Sequence, residues 1–164
     1  MKTLITGGKS AQALKLLKAF TADQVILGDY GEIPSYASAQ YQFISLGERN
    51  DDTIAHNLLN TCLDQGIDRL LPLYSFELEA VAKSAILFEE FNIHVLLPDI
   101  HTFSTYPLTG AADKQNWAVY ANGELIYAAL PSAELENAGK EQGLNGVFYI
   151  DVTGDSLPVL FTIA

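Results

Sequence analysis

Cysteine is nearly absent from the chain, and this limits the chemistry that the protein can carry. Cys62 stands alone, which excludes an internal disulfide bond and any zinc site built from several cysteines. The three histidines, His56, His94 and His101, are far apart in sequence and lack the paired spacing of a metal site. We therefore predict no metal, no catalytic cysteine and no catalytic residue.

Positive charge is also scarce. The chain has 9 Lys and Arg against 20 Asp and Glu, for a formal net charge of −11. This sign repels phosphate backbones and anionic lipid, so we predict no nucleic-acid partner and no membrane partner. No apolar run approaches a membrane-spanning length, and the first apolar stretch is too short for a signal peptide. The expected location is the cytoplasm.

Short apolar runs that alternate with segments of helical period are what the sequence does contain. This alternation is typical of βαβ units and a parallel sheet. The predicted strands cover residues 3–6, 24–28, 43–46, 69–74 and 93–97. The fold class is therefore predicted as α/β, with a Rossmann-like doubly wound parallel sheet of about five strands in residues 1–112 and a small α+β segment in 113–164.

Three helices are predicted between these strands. The first covers residues 10–20, the second starts at Asp51 or Asp52 and ends at Gly66, and the third runs from a Ser75 cap to about residue 91. Glu77 falls in the first turn of the third helix, where the helix dipole favours a carboxylate. The apolar positions expected to face the sheet are Ala13, Leu14, Leu17 and Phe20 in the first helix, and Ile54, Ala55, Leu58, Leu59, Cys62 and Leu63 in the second.

The pattern after Pro98 is weaker. Residues 113–128 fit either a helix that starts at Asp113 or two strands joined by Asn122-Gly123, and the Asn-Gly pair between apolar runs favours the hairpin. Residues 131–143 predict a helix. Residues 147–152 and 158–163 predict two strands joined by a turn at 153–155.

Polar residues collect where the predicted parallel strands end, which is the edge that binds ligands in such folds. They are Gly7, Gly8, Lys9 and Ser10 after the first strand, Asp29 and Tyr30 after the second, and Tyr74, Ser75 and Glu77 after the fourth. We predict a small-molecule site there, with Gly8 permitting close approach of the ligand. Lys9 is the expected cation beside the loop amides and favours an anionic ligand. Alternatively, the two glycines simply allow a tight turn.

Two phosphate-binding motifs are incomplete at this position. Gly7-Gly8-Lys9-Ser10 matches the end of a P-loop, but Thr3 stands where that motif needs a glycine. The dinucleotide fingerprint G-x-G-x-x-G is absent, although Asp29 lies near the spacing of a ribose-binding acid. We therefore predict no cofactor.

The run LPLYSFEL at residues 71–78, the run VLLP at 95–98 and the pair Asp113-Lys114 together resemble the N-terminal half of ATP-grasp ligases. In particular, they resemble short proteins similar to the large subunit of carbamoyl-phosphate synthase. The resemblance covers about residues 1–114 and implies a Rossmann-like pre-ATP-grasp domain, with Gly7-Gly8 as its substrate-side loop. It also implies that Thr162 replaces the glutamate of a late Glu-Ile-Asn metal site, and a hydroxyl is a poor magnesium ligand.

These observations predict a non-catalytic module that binds a small ligand or a protein and lacks a working ATP-binding half. One alternative is a substrate-binding subunit that works with a separate ATP-grasp chain. A second is a nucleotide-binding Rossmann enzyme that uses Asp29. A homodimer is expected, because relatives often pair and the aromatic segment 117–127 offers apolar surface.

Overall fold

The first half of the chain forms a five-stranded parallel sheet, as predicted. The computed structural model describes residues 1–36, 38–109, 116–150 and 157–164. The sheet has the order β3-β2-β1-β4-β5, and every neighbouring pair is parallel. Its strands are β1 (Lys2–Thr6), β2 (Gln24–Asp29), β3 (Tyr41–Ser45), β4 (Arg69–Leu71) and β5 (His94–Val95). The strand order reverses between β1 and β4, which is where doubly wound sheets bind ligands.

Strand β4 is shorter than the sequence predicts. It ends at Leu71, immediately before Pro72, rather than at Tyr74. Proline has no backbone N–H to donate to the ladder, so regular pairing stops there. Residues 72–74 consequently lead out of the sheet toward the following helix.

The helices on the sheet begin and end close to the predicted positions. They are α1 (Ala11–Leu16), which tightens into a 3₁₀ turn at Leu17–Phe20, and then α2 (Ile54–Gln65), α3 (Ser75–Lys83) and α4 (Ala85–Glu90). The start of α2 was predicted too early, since Thr53 holds the N-cap position. The single long helix predicted after β4 was also wrong, because Ser84 leaves helical geometry and divides it into α3 and α4.

Two apolar positions expected to face the sheet are exposed. Leu14 is 43% exposed, because the buried face of this segment is formed by Ala13, Leu16 and Phe20. Leu63 is 44% exposed, since the buried face of α2 is narrower than its apolar stripe and stops at Cys62.

The second half of the chain forms another five-stranded sheet with the order β6-β10-β9-β7-β8. Its elements are β6 (Leu108–Thr109), β7 (Trp117–Ala121), β8 (Glu124–Ala128), α5 (Ala133–Gln142), β9 (Gly146–Tyr149) and β10 (Val159–Phe161). Strands β7 and β8 form the predicted hairpin, and Asn122 and Gly123 take the positive φ angles of 49° and 86° that its turn requires. Asp113-Lys114 and the turn predicted at 153–155 lie outside the described residues.

The two sheets share their hydrophobic core. Ile5 and Leu27 of the first sheet belong to one buried cluster with Val119 and Val147 of the second. The C-terminal segment also contacts the first sheet. The Ile163 amide donates a 2.9 Å hydrogen bond to the carbonyl of Leu73, just beyond β4. The division at residues 112 and 113 stays a prediction, and the structure shows extensive packing across it. None of the described helices is long and apolar enough to cross a membrane.

Candidate functional site

The turn after β1 is shaped by close approach of β2. Gly7 has a φ of 67°, a left-handed conformation that favours glycine. The Gly8 amide donates a 3.0 Å hydrogen bond to the Gly28 carbonyl. A Cβ atom at Gly8 would lie 2.7 Å from Cβ of Leu27 and 2.9 Å from its carbonyl carbon. The close approach at Gly8 is therefore that of a neighbouring strand, which supports the tight-turn interpretation of the two glycines.

Lys9 forms hydrogen bonds within the protein through both its backbone amide and its ammonium group. Its backbone N–H donates to Oδ2 of Asp29 at 2.9 Å. Its Nζ donates to the carbonyl oxygens of Tyr30 at 2.9 Å and Glu32 at 3.1 Å. The cation expected to attract an anionic ligand thus ties the turn to the loop after β2. An anionic ligand stays a prediction.

The two serines of the predicted site have different roles at their helices. Ser10 caps α1, because its Oγ accepts a 3.1 Å hydrogen bond from the Ala13 amide. Ser75 is not the cap of α3; Tyr74 holds that position without a side-chain capping bond. The Ser75 amide instead donates to the carbonyl of Ile163 at 2.8 Å, so the C-terminal segment supplies the missing partner.

Asp29 connects three loops at the C-terminal edge of the parallel sheet. Its side chain is buried, with only 1% of the residue exposed. Oδ1 accepts hydrogen bonds from the Tyr30 amide at 2.8 Å and from the Tyr74 hydroxyl at 2.7 Å, while Oδ2 accepts from the Lys9 amide at 2.9 Å. This carboxylate is not presented to a ribose, so the geometry gives no support to a dinucleotide site that uses Asp29.

Glu77 is the most unusual residue of the site. It lies in the first turn of α3, as predicted, and it is 0% exposed. Among the described residues no donor meets hydrogen-bond geometry with either carboxyl oxygen, although the Thr6 and Tyr30 hydroxyls lie close by. Burial, followed by the charge of Asp29, raises the pKa of Glu77 to about 8, although the Thr6 and Tyr30 hydroxyls and Arg49 act in the opposite direction. Glu77 is therefore mostly protonated and neutral at pH 7.

Three aromatic rings pack together beside the two buried acids. The ring centroids of Tyr30, Tyr74 and Phe76 are separated by 5.9, 5.5 and 5.0 Å, and we call these three residues the aromatic trio. The Arg49 guanidinium lies over the Phe76 ring, 3.7 Å from its centroid. Burial raises the pKa of both tyrosines, and the charges of Asp29 and Glu77 add to this effect.

The structure thus brings the predicted residues together and adds Phe76 and Arg49. The sequence analysis missed these two residues. Arg49 follows β3, and parallel strands deliver their C-terminal loops to one edge, so the loop after the third strand was the signal that could have revealed it. Nothing in the sequence specifies that the guanidinium turns toward Phe76.

Within the described ranges, no group of three or more His, Cys, Asp and Glu side chains is arranged to hold a metal ion. Thr162, at the position of the expected metal-binding glutamate, is 4% exposed. Cys62 is fully buried, and burial raises the pKa of its thiol to about 12.

No protein-family model matches the chain, and no curated protein matches it. Among solved structures, the crystal structure of Kluyveromyces lactis urea carboxylase is similar, with a TM-score of 0.50 and 13% identity over 99% of this chain and 20% of that one. The biotin carboxylase domain of a thermophilic 2-oxoglutarate carboxylase bound to bicarbonate gives a TM-score of 0.46 and 18% identity, over 84% and 38% of the two chains. The biotin carboxylase subunit of pyruvate carboxylase gives 0.44 and 16%, over 89% and 43%.

This chain therefore spans less than half the length of each of these structures. At 13% identity, the likeness to the urea carboxylase structure shows a shared fold and nothing finer. It confirms the fold that the sequence resemblance implied.

Proposed function

We propose that the chain is a non-catalytic, cytoplasmic small-ligand-binding module of the pre-ATP-grasp type. Its ligand sits at the C-terminal edge of the parallel sheet, where the turn after β1 meets the start of α3. The proposed site consists of Gly7, Gly8, Lys9, Ser10, Asp29, Tyr74, Ser75 and Glu77, together with Arg49 and Phe76 from the same edge.

The unpartnered carboxyl of Glu77 is the observation that supports this proposal most strongly. Buried polar side chains nearly always have a hydrogen-bond partner. A buried group without one costs about 1–3 kcal/mol of stability. Glu77 lies beside the reversal of strand order between β1 and β4, where such sheets bind ligands. A ligand that supplies the missing partner explains why a destabilising carboxyl is placed there.

The test is a small-molecule screen followed by amide NMR, using wild type and the variant Glu77→Gln. A binder should shift the amide signals of the turn after β1 and of the first turn of α3. Glu77→Gln should weaken its binding at least tenfold. Glu79→Gln is the matched control, because Glu79 lies on the same helix with its side chain 67% exposed. Equal binding to wild type and Glu77→Gln, or shifts confined to other parts of the fold, would overturn the site.

The non-catalytic part of the proposal has its own test. Calorimetric titration with magnesium and ATP should show no binding at micromolar concentration, and micromolar affinity would contradict it. A partner chain that carries only the ATP-grasp half, if it restores ligase activity on mixing, would favour the split-ligase alternative instead.

A homodimer also stays a prediction. The aromatic segment proposed to supply its interface is largely inside the protein, because Trp117 is 3% exposed and Tyr120 is fully buried. Light scattering at high protein concentration measures the oligomeric state, and a monomer there would end this prediction.

A further inference from the structure

The edge of the sheet offers little to an anion. Asp29 and Glu77 place two buried carboxyl groups there. The ammonium of Lys9 is bound by two backbone carbonyls, and the Gly8 amide by a third. An anion would have to displace these bonds and approach the negative charge of Asp29.

The aromatic trio, in contrast, presents faces that attract cations. The negative face of an aromatic ring stabilises a nearby cation by about 0.5–2 kcal/mol. The Arg49 guanidinium already uses one such face, 3.7 Å from the centroid of the Phe76 ring, while half of its side chain remains exposed. The outer surface of the trio therefore holds a cation that comes from the protein itself.

Glu77 provides carboxyl oxygens beside these rings that can accept hydrogen bonds from a cation. No donor meets hydrogen-bond geometry with either of its carboxyl oxygens, although the Thr6 and Tyr30 hydroxyls lie close by, and the residue is completely buried. An ammonium group carries three N–H donors and a guanidinium group five, with no acceptor in either. Either group would complete the hydrogen bonding of Glu77 and would favour its ionised form.

We infer that the ligand of this site carries an ammonium or guanidinium group, which binds the Glu77 carboxylate beside the aromatic trio and competes with Arg49 for the ring faces. This inference rests on the proposed ligand-binding function and specifies its ligand class. Ionisation of Glu77 on binding releases one proton to solvent. The charged and titratable groups that face Glu77 are Asp29 and Tyr30 from the end of β2, Tyr74 before α3, and Arg49 after β3.

Butylguanidinium, butylurea and inorganic phosphate are suitable probes. The first two have nearly the same shape but differ in charge, and the guanidinium remains charged up to pH 10. Amide NMR should show butylguanidinium binding at the turn after β1 and the start of α3, at least tenfold more tightly than butylurea. Glu77→Gln should remove this preference, whereas Glu79→Gln should retain it. Equal binding of the two probes would overturn the inference.

The substitution Arg49→Gln is expected to change the affinity for a cation and the affinity for an anion in opposite directions. Arg49→Gln removes the competing guanidinium, so butylguanidinium should bind roughly threefold more tightly. The same variant should weaken any binding of phosphate. Lys18→Gln is the control, because Lys18 is an exposed cation in the 3₁₀ turn that precedes β2 and its loss changes the net charge equally. Weaker butylguanidinium binding in Arg49→Gln would contradict the competition.

Proton release provides a third readout. Calorimetry in two buffers of different ionisation enthalpy should show release of close to one proton per butylguanidinium bound at pH 7, and almost none at pH 9.5, because Glu77 has a pKa of about 8 without ligand. If Glu77→Gln releases as many protons as the wild type, the proton comes from another group and this assignment is wrong.

If phosphate or butylurea binds at the same amides and depends on Glu77 while butylguanidinium does not bind, the proposed site stands and the cationic ligand class is wrong. If Glu77→Gln changes the binding of none of the probes or screened compounds, the proposed function fails as well.

Discussion

The hydroxyl of Tyr74 donates a 2.7 Å hydrogen bond to Oδ1 of Asp29. This bond joins the segment after β4 to the end of β2, although β1 lies between these two strands in the sheet. The same carboxylate receives the Lys9 amide from the turn after β1. One buried acid therefore holds three loops in register at the proposed binding edge.

Tyr74→Phe should lower the free energy of unfolding by about 2 kcal/mol, because a hydrogen bond to a buried charged group is lost while the ring remains. Urea denaturation measures this change. Tyr36→Phe is the control, since Tyr36 is 63% exposed and should give a change near zero. Equal effects of the two substitutions would show that the Tyr74 hydroxyl does not stabilise the loops.

Gly8→Ala should destabilise the fold by about 1–3 kcal/mol, because the new methyl group would overlap the backbone of Leu27. Gly28→Ala is the matched control. A Cβ atom at Gly28 would meet side-chain atoms of Leu4 and Leu46 at 3.0 Å, and these can move aside. We expect the loss at Gly28 to be smaller than that at Gly8. Thermal unfolding compares the two variants, and the reverse order would show that the turn adjusts more easily than the leucines.

The sequence predicts the parallel sheet well, because its inner strands are short apolar runs that are buried on both faces, and only the edge strand β3 is partly exposed. The hairpin is predicted equally well, since Asn122 and Gly123 tolerate positive φ and few other pairs do. These features depend on local chemistry. They follow from residues that are neighbours in the chain.

The failures involve contacts that the local pattern does not contain. The exposure of Leu63 depends on how much of α2 the sheet covers, and the burial of Glu77 depends on how the start of α3 packs against the ends of β1 and β2. The sequence favours Ser75 as the helix cap, but the structure places Tyr74 at that position. The Ser75 amide donates instead to the carbonyl of Ile163, near the C-terminus. The residues of the candidate edge could thus be predicted from topology, whereas their protonation and partners could not.

Gly139→Ala tests the packing of α5 against the hairpin. In an exposed helix, this substitution stabilises by roughly 1 kcal/mol. Here the added Cβ atom would lie 2.5 Å from the Tyr120 ring and 2.8 Å from the Gly123 carbonyl oxygen. We therefore expect destabilisation by about 1–3 kcal/mol in urea denaturation. The exposed substitution Asn137→Ala on the same helix should be neutral or slightly stabilising, and a stabilising Gly139→Ala would contradict the close packing.

The pH dependence of stability reports directly on Glu77. Its pKa in the folded protein is about 8, above the ordinary value of 4.5, so the folded state binds more protons than the unfolded state between these two values. The stability associated with the neutral carboxyl is complete below about pH 4.5 and is lost as the pH rises through about 8. The contribution of Glu77 to the free energy of unfolding of the wild type should therefore decrease as the pH rises from about 4.5 to about 8, independently of the other titrating groups.

Glu77→Gln removes that contribution, because the amide does not ionise. The free energy of unfolding of the variant, relative to wild type, should therefore rise by about 4 kcal/mol between pH 5 and pH 9. Urea denaturation across this pH range measures the difference, and Glu79→Gln, exposed on the same helix, should run parallel to wild type. A difference between Glu77→Gln and wild type that stays constant with pH would mean that Glu77 is ionised throughout the range, and hence that a partner already neutralises it in the folded protein.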